Sequence, residues 1–173
     1  MSEFPAPRPF RYIDHQLCCG TVNITDLAAQ FGTPLYIYSA DDIRSRVAML
    51  KGEFNGLPHT LCYAVKANSS LAILKLLASL NCGFDIVSGG ELERVRRAAP
   101  ESLPRVVFSG VGKQAWEIDA ALEAGILLFN VESEAELELL AQRAQALSKT
   151  ARIALRVNPD VFAETHPYIS TGL

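Results

Sequence analysis

Residues 61–68 read Leu61-Cys62-Tyr63-Ala64-Val65-Lys66-Ala67-Asn68, an apolar run that ends in a lysine and a short polar segment. Such a run predicts a buried strand, and strand side chains alternate between two faces. Cys62, Ala64 and Lys66 are therefore expected on one face, with the amine projecting from the strand's carboxyl end over a roomy space. An enclosed lysine shifts towards the nucleophilic free amine that a Schiff-base lysine requires. The alternative is a strand-end lysine that reaches solvent.

Strand and helix patterns alternate from about residue 60 onward. Helices are predicted after Ser69 or Ser70, after Ser88, over Ala115–Ala124 and after Ser133, the second and fourth opening with the Ser–Glu spacing of a capping box. This alternation is typical of a parallel α/β sheet. Five strands are predicted, beginning about 20 to 26 residues apart: Leu61–Val65, Gly83–Val87, Arg105–Phe108, Ile126–Val131 and Arg152–Val157.

The predicted strands end in polar residues, among them Ser109-Gly110 and Asn130, and catalytic groups gather at that edge in barrels and in open α/β sheets. A closed (β/α)8 barrel needs eight units, and five are present before Leu173. Either the sheet is open or the sequence is part of a longer barrel. We expect the second, because an open sheet would leave its last edge unpaired. Residues 1–40 lack this periodicity; they predict a hairpin, a helix over Ile24–Phe31 and a strand over Leu35–Tyr38.

Composition narrows the class of protein. The chain has 173 residues, is 49% hydrophobic and carries a formal net charge of -3, which argues against a nucleic-acid partner. No apolar run approaches the length of a membrane span, and residues 1–10 lack a signal core, so we expect a cytoplasmic protein. The four cysteines form no C-x-x-C pair and are expected to be reduced thiols. The three histidines make no metal-ligand spacing, so no metal is expected.

Several segments resemble the fold-type III pyridoxal-phosphate decarboxylases, and the resemblance covers nearly the whole chain. The lysine segment Tyr63–Asn68 resembles that family's lysine motif, and Gly83–Leu92 is similar to its second strand and following turn. Two further segments, Gly32–Tyr38 and Arg156–Leu173, resemble one branch of that family, the diaminopimelate decarboxylases.

The resemblance implies that residues 41–173 are the first part of an alanine-racemase-like (β/α)8 barrel. Residues 1–40 would contribute to a second, β-rich domain built mostly from later sequence. It implies that Lys66 holds pyridoxal 5′-phosphate and, once released, moves a proton, and that Ala64, Asp85 and Arg156 bind the cofactor. The reaction implied is decarboxylation of meso-2,6-diaminopimelate to L-lysine, the last step of lysine biosynthesis, by a homodimer.

Other interpretations of these residues stay open. Asp85 could be a polar strand-end residue, whereas Arg156 on an interior strand face would be costly unless paired. The capping box explains Glu91 without a role in the site. His166 lies in a loop that is either surface or closes on substrate.

The function also has alternatives: an ornithine or arginine decarboxylase of the same fold, a non-catalytic barrel that binds pyridoxal phosphate, or a structural domain in which Lys66 is inert. In the family a ring-stacking histidine, a glycine-rich phosphate loop and an acid for the pyridine nitrogen lie beyond the fifth strand. The pair Gly89-Gly90 opens a helix and is not that loop. Residues 1–173 alone are therefore expected to be inactive and poorly folded.

Overall fold

The computed structural model describes residues 8–158. The segment 159–173, with His166 and most of the stretch that resembles diaminopimelate decarboxylase, lies outside the described residues. Within them the first elements are a three-stranded antiparallel sheet and two helices. They are β1 (Phe10–Ile13), β2 (Gln16–Cys19), β3 (Val22–Asn23), α1 (Ile24–Phe31) and α2 (Ala40–Glu53).

The predicted strand Leu35–Tyr38 is wrong. The segment that joins α1 to α2 contains no strand, and Tyr36 and Tyr38 are 84% and 58% exposed. The residue types suit a strand, but no described strand lies beside this segment to complete a ladder.

A second sheet holds five parallel strands in the order β4-β5-β6-β7-β8. A helix connects each strand to the next, and the predicted bounds of the third helix, Ala115–Ala124, are confirmed. The elements are β4 (Cys62–Ala64), α3 (Leu71–Ser79), β5 (Gly83–Ile86), α4 (Gly89–Ala98), β6 (Val106–Phe108), α5 (Ala115–Ala124), β7 (Leu128–Val131), α6 (Glu134–Ala146) and β8 (Ile153–Leu155).

The strand order runs in one direction, so every strand pairs with its neighbour in sequence. A doubly wound sheet would reverse its order at a switch point. Successive right-handed connections in one direction place their helices on one face and curve the sheet in the manner of a (β/α)8 barrel. The predicted class is therefore confirmed: an α/β chain with a parallel sheet of barrel type, whose edge strands are β4 and β8.

The two faces of this sheet differ in chemistry. One face packs beneath the helices, where Phe84, Phe108 and Phe129 are at most 1% exposed and the rings of Phe108 and Phe129 stack at 5.9 Å. Burying each phenylalanine contributes roughly 1.5–3 kcal/mol, so this face supplies the core. The opposite face carries half-buried small and polar residues, among them Ala64, Asp85, Val107, Asn130 and Ala154. We call it the inner face.

The helices start where the predicted caps place them, but not every predicted cap bond forms, and Ser70 before α3 makes no side-chain cap bond. Ser88 and Ser133 accept hydrogen bonds from the main-chain N–H groups of Glu91 and Glu136 at 3.2 Å. The return bonds of two capping boxes are missing, however. Glu91 Oε2 accepts from Val87 N at 2.8 Å instead of Ser88, and Glu136 binds a lysine. A return bond of this kind does occur at α5, where Glu117 Oε2 accepts from Gln114 N at 2.9 Å.

The cysteines, the helix lengths and the end of α5 agree with the expectations from the sequence. The four cysteines, all within the described part, are free thiols as expected. No helix in residues 8–158 is long and apolar enough to cross a bilayer. Gly125 ends α5 in the left-handed conformation (φ 64°), the usual reason for a glycine at that position.

Gly83 is the glycine that the sheet requires most strictly. A Cβ at this position would lie 2.3 Å from the carbonyl oxygen of Arg105 and 2.9 Å from Cys62 Sγ. At Gly90, in the first turn of α4, the nearest atom to such a Cβ is Ser88 Oγ at 3.7 Å, an ordinary contact.

We therefore expect Gly83→Ala to lower the free energy of unfolding by about 1–3 kcal/mol, because β5 and β6 must separate locally to admit the methyl group. Gly90→Ala is the matched control and is expected to be neutral or slightly stabilising. Urea unfolding monitored by circular dichroism measures both. Equal effects of the two variants would contradict the close approach at Gly83.

Candidate active site

Lys66 lies at the carboxyl edge of the sheet, but not on a strand as predicted. β4 ends at Ala64, and Val65–Ala67 form a 3-10 turn, so strand alternation stops before the lysine. Val65 is fully buried, whereas Lys66 is exposed. The expectation of a desolvated amine is therefore not met within residues 8–158. The lysine stands at the edge of the sheet, outside the core beneath the helices.

The segment around Lys66 is fixed by polar contacts of its neighbours. Asn68 Oδ1 accepts from the main-chain N–H of Ser70 at 2.9 Å, which orders the start of α3. The hydroxyl of Tyr63 donates to the main-chain carbonyl of Asn68 at 3.3 Å, and burial raises the pKa of this phenol. The hydrogen bonds of Asn68 therefore hold the carboxyl end of the turn that carries Lys66.

Asp85 lies on the inner face, paired in register with Ala64 of the neighbouring strand. Its Oδ1 accepts a hydrogen bond from Ser109 Oγ at 2.5 Å, and Ser109 Oγ accepts in turn from Asn130 Nδ2 at 2.9 Å. These three side chains come from β5, from the end of β6 and from β7. They form a polar row across three adjacent strands, which we call the inner-face row.

A second polar cluster lies at the β7–β8 end of the same edge. Arg156 directly follows β8, and its Nη1 donates to both carboxylate oxygens of Glu132, at 3.1 and 3.0 Å. Glu132 also accepts from the main-chain N–H of Gly110 at 2.9 Å. Arg156 was expected on an interior strand face, but it follows β8 and its side chain is 51% exposed, although it is paired with an acid.

The Lys113 ammonium lies between the two groups and is almost completely buried. It donates to the carbonyl oxygens of Gly110 at 2.7 Å and Asn130 at 2.8 Å, and to Glu136 Oε1 at 2.7 Å. Its side chain is 2% exposed and lies 5.6 Å from the centre of the Phe108 ring.

Ala64 is half-buried beside Asp85. It also lines an apolar groove of about 400 Å³ between β4 and α2, together with Ile43 and Val47.

Cys62, two residues before Ala64 on β4, is a poor nucleophile. Burial raises the pKa of this thiol, and the charges of Asp85 and Cys82 add to the rise. Cys62 therefore stays protonated at neutral pH, whereas an amine is available two residues beyond Ala64.

The start of α4 does not suit a phosphate. Gly89 N donates to Glu117 Oε1 at 2.7 Å, and the Glu91 carboxylate holds Val87 N. Helix N-termini bind anions through free N–H groups, but here Glu117 already takes the N–H of Gly89 and Ser88 Oγ takes that of Glu91. This agrees with the expectation that Gly89-Gly90 is not a phosphate loop.

The described residues thus fit part of a pyridoxal phosphate. They offer an exposed primary amine for its aldehyde, a small residue beside that amine and a row of hydrogen-bonding side chains. None of the groups described at this edge fits the phosphate.

Sequence reasoning found some of these residues and missed others. Ser109, Gly110 and Asn130 were recognised as polar strand ends, but without a role. Glu132 and Lys113 were missed, because all their partners except Gly110 for Lys113 lie 17 to 24 residues away in sequence. The sequence contains one feature that could have pointed to Lys113: it follows Gly110 and Gly112 in a loop after a predicted strand.

Comparison with known proteins identifies this arrangement. Residues 40–173 match the family model described as "Pyridoxal-dependent decarboxylase, pyridoxal binding domain". The chain belongs to the pyridoxal-dependent decarboxylase family. Its cofactor class is pyridoxal phosphate, as the lysine segment predicted.

Several relatives within this decarboxylase family are close. The chain is 51% identical over 164 residues to the diaminopimelate decarboxylase of Pseudomonas aeruginosa, covering 95% of this chain and 39% of that protein. It is 52% identical over 160 residues to the Vibrio cholerae protein of the same name, covering 92% and 38%. The chain therefore spans about two fifths of the length of the curated relatives it matches.

A solved structure gives the same result for the fold. The diaminopimelate decarboxylase of Helicobacter pylori, crystallised with L-lysine, superimposes with a TM-score of 0.80 at 48% identity. The match covers 87% of this chain and 38% of that one. The family resemblance read from the sequence is confirmed.

Glu132 is expected to contribute to stability mainly through Gly110. Glu132→Ala should lower the free energy of unfolding by about 1–2 kcal/mol, since the N–H of Gly110 loses its acceptor. The ion pair with Arg156 adds less, because the Arg156 side chain is half exposed to solvent. Glu138→Ala, on the exposed face of α6, is the control and should be neutral.

Urea unfolding at low and high salt separates the two contributions. The loss in Glu132→Ala should be nearly independent of salt, because a hydrogen bond to the main chain is not screened as an exposed ion pair is. A loss that disappears at high salt would show that the ion pair dominates.

Proposed function

We propose that this sequence forms part of an enzyme that decarboxylates meso-2,6-diaminopimelate to L-lysine with pyridoxal phosphate. One observation carries the proposal. The exposed amine of Lys66 and the hydrogen-bonded carboxylate of Asp85 stand at the carboxyl ends of adjacent parallel strands. They do so in a chain about half identical to diaminopimelate decarboxylases. The L-lysine in the Helicobacter pylori structure supports an amino-acid ligand of this chemistry.

The chain's own residues would divide the work. Lys66 would hold the cofactor aldehyde through its Nζ and, once released, carry a proton on the same atom. Asp85 would present its carboxylate at the ring, in the orientation set by Ser109. Arg156 would add a fixed positive charge held by Glu132. When bound, pyridoxal phosphate supplies an electron sink for the charge left by loss of carbon dioxide.

Ala64 would contribute through its small size. Its methyl group stands beside Asp85 on the inner face, and a larger side chain would occupy the space above the strand ends. We propose that Ala64 keeps this space open for a planar ring.

Residues 1–40 are proposed to belong to a second, β-rich domain. Their small sheet leaves Phe10, Tyr12, Leu17 and Val22 between 39% and 75% exposed, which indicates surface that another unit covers. The family match begins at residue 40, which supports a boundary there. We also propose that the enzyme is a cytoplasmic homodimer, on the strength of the family resemblance and of the free cysteines.

The other functions have less support. An ornithine or arginine decarboxylase, or a non-catalytic cofactor-binding barrel, would share the fold and the lysine. The half-identical relatives named above are diaminopimelate decarboxylases, so this substrate is the one to test first.

We expect Lys66 to be the residue that forms the covalent bond with pyridoxal phosphate. The product of the complete reading frame, incubated with pyridoxal phosphate and reduced with borohydride, should carry a pyridoxyl group on Lys66 alone, read by peptide mass mapping. Lys66→Ala should lose the label and lower diaminopimelate turnover by about three orders of magnitude or more, since the covalent anchor and the proton carrier are both removed.

Lys75→Ala, which removes an exposed lysine of α3, is the matched control and should keep label and turnover. Circular dichroism should show the fold intact in both variants. A label on another lysine, or near-normal turnover in Lys66→Ala, would refute the assignment.

Residues 1–173 expressed alone are expected to be inactive. Within residues 8–158 both edge strands, β4 and β8, have an unpaired side, and β8 exposes Ile153 and Leu155 by 42% and 67%. Open strand edges and exposed apolar side chains favour association. Carbon dioxide release from diaminopimelate and analytical ultracentrifugation test this. Measurable release by a monomeric 1–173 chain would overturn the expectation.

A further inference from the structure

Lys113 carries a buried charge and takes no part in the proposed reaction. Its side chain is 2% exposed and its partner Glu136 is 8% exposed. Taking such a pair out of water costs several kcal/mol per ion, and apolar residues of similar volume often give equal stability. Stability alone is therefore a weak reason for a lysine at this position.

The three protons of the ammonium are all used, and two of them hold main chain at the site. One binds the carbonyl of Gly110, the residue after Ser109, and one binds the carbonyl of Asn130. Ser109 and Asn130 are the residues whose side chains form the inner-face row with Asp85. Lys113 thus fixes the backbone on which the row depends.

The loop that carries Lys113 has no other buried anchor. Within 109–113, Lys113 is the one buried residue, and Val111 is 80% exposed. Gly110 and Gly112 both have positive φ, of 88° and 70°, conformations that an unrestrained glycine leaves readily. The end of β6 is therefore held by the lysine from one side and by Glu132 on Gly110 N from the other.

We propose that Lys113 is a positioning residue of the cofactor site. Its ammonium locks the ends of β6 and β7 together, so that Ser109 and Asn130 keep the Asp85 carboxylate in one orientation. This inference rests on the proposed function, because the orientation matters only if Asp85 meets a pyridoxal ring. Glu136 is the counter-charge that makes burial of the ammonium possible.

The experiment compares variants of the product of the complete reading frame. Lys113→Met keeps the volume and removes the donors. Lys113→Met/Glu136→Met also removes the carboxylate that the single variant leaves buried and unpaired. Lys51→Met is the matched control, because Lys51 Nζ also binds main-chain carbonyls, those of Leu80 and Asn81, at the opposite edge of the sheet.

Three quantities are measured: the dissociation constant of pyridoxal phosphate by absorbance titration, amide hydrogen exchange at Gly110 without cofactor, and the midpoint of thermal unfolding. In Lys113→Met we expect the dissociation constant to rise about tenfold, the effect that loss of an outer-shell partner has at metal sites, with faster exchange at Gly110. In Lys51→Met the midpoint should fall while the dissociation constant changes by less than about twofold.

The double variant separates positioning from stability. It should recover the thermal midpoint, because no charge is left unpaired, while cofactor binding stays weak. Cofactor affinity that recovers with the midpoint, or that is normal in Lys113→Met, would overturn the proposal. Failure of the unmodified protein to bind pyridoxal phosphate would instead refute the proposed function.

Discussion

The parallel register from β4 to β8 is the constraint on which the site depends. In-register pairing sets Asp85 beside Ala64 and Asn130 beside Ala154, on the face turned away from the helices. A shift of one residue in any strand would exchange these groups with the phenylalanines of the core. The hydrophobic side of the sheet therefore fixes its polar side, and the site follows from the packing beneath the helices.

The sequence predicted the elements that follow from periodicity and local signals. The bounds of α5 were predicted correctly because a glycine in the left-handed conformation ends that helix. The placement of Lys66 on the strand was wrong, because a 3-10 turn after Ala64 leaves no mark in an apolar run. Lys113 and Glu132 were missed for a different reason. Their roles depend on partners from neighbouring strand–helix units, which local pattern does not specify.

The glutamates near the helix starts also have partners that the local sequence pattern does not specify. Three glutamates stand at the third helical position after a capping residue, and of these only Glu117 accepts from the N–H of its own capping residue. Glu91 reaches one residue further back, and Glu136 neutralises the buried Lys113. A capping-box spacing is thus a reliable sign of where a helix begins. It does not fix the partner of the carboxylate, because a buried cation competes more strongly than one N–H group.

Glu117 joins two consecutive strand–helix units, since one of its oxygens holds Gln114 N at its own helix and the other holds Gly89 N, 28 residues earlier. Repeats linked in this way are not independent modules. Recombination between homologous decarboxylases that exchanges one of these helices without the other would separate the carboxylate from its donor. Crossover points for chimeric enzymes are therefore better placed before β5 or after α5 than between Gly89 and Glu117.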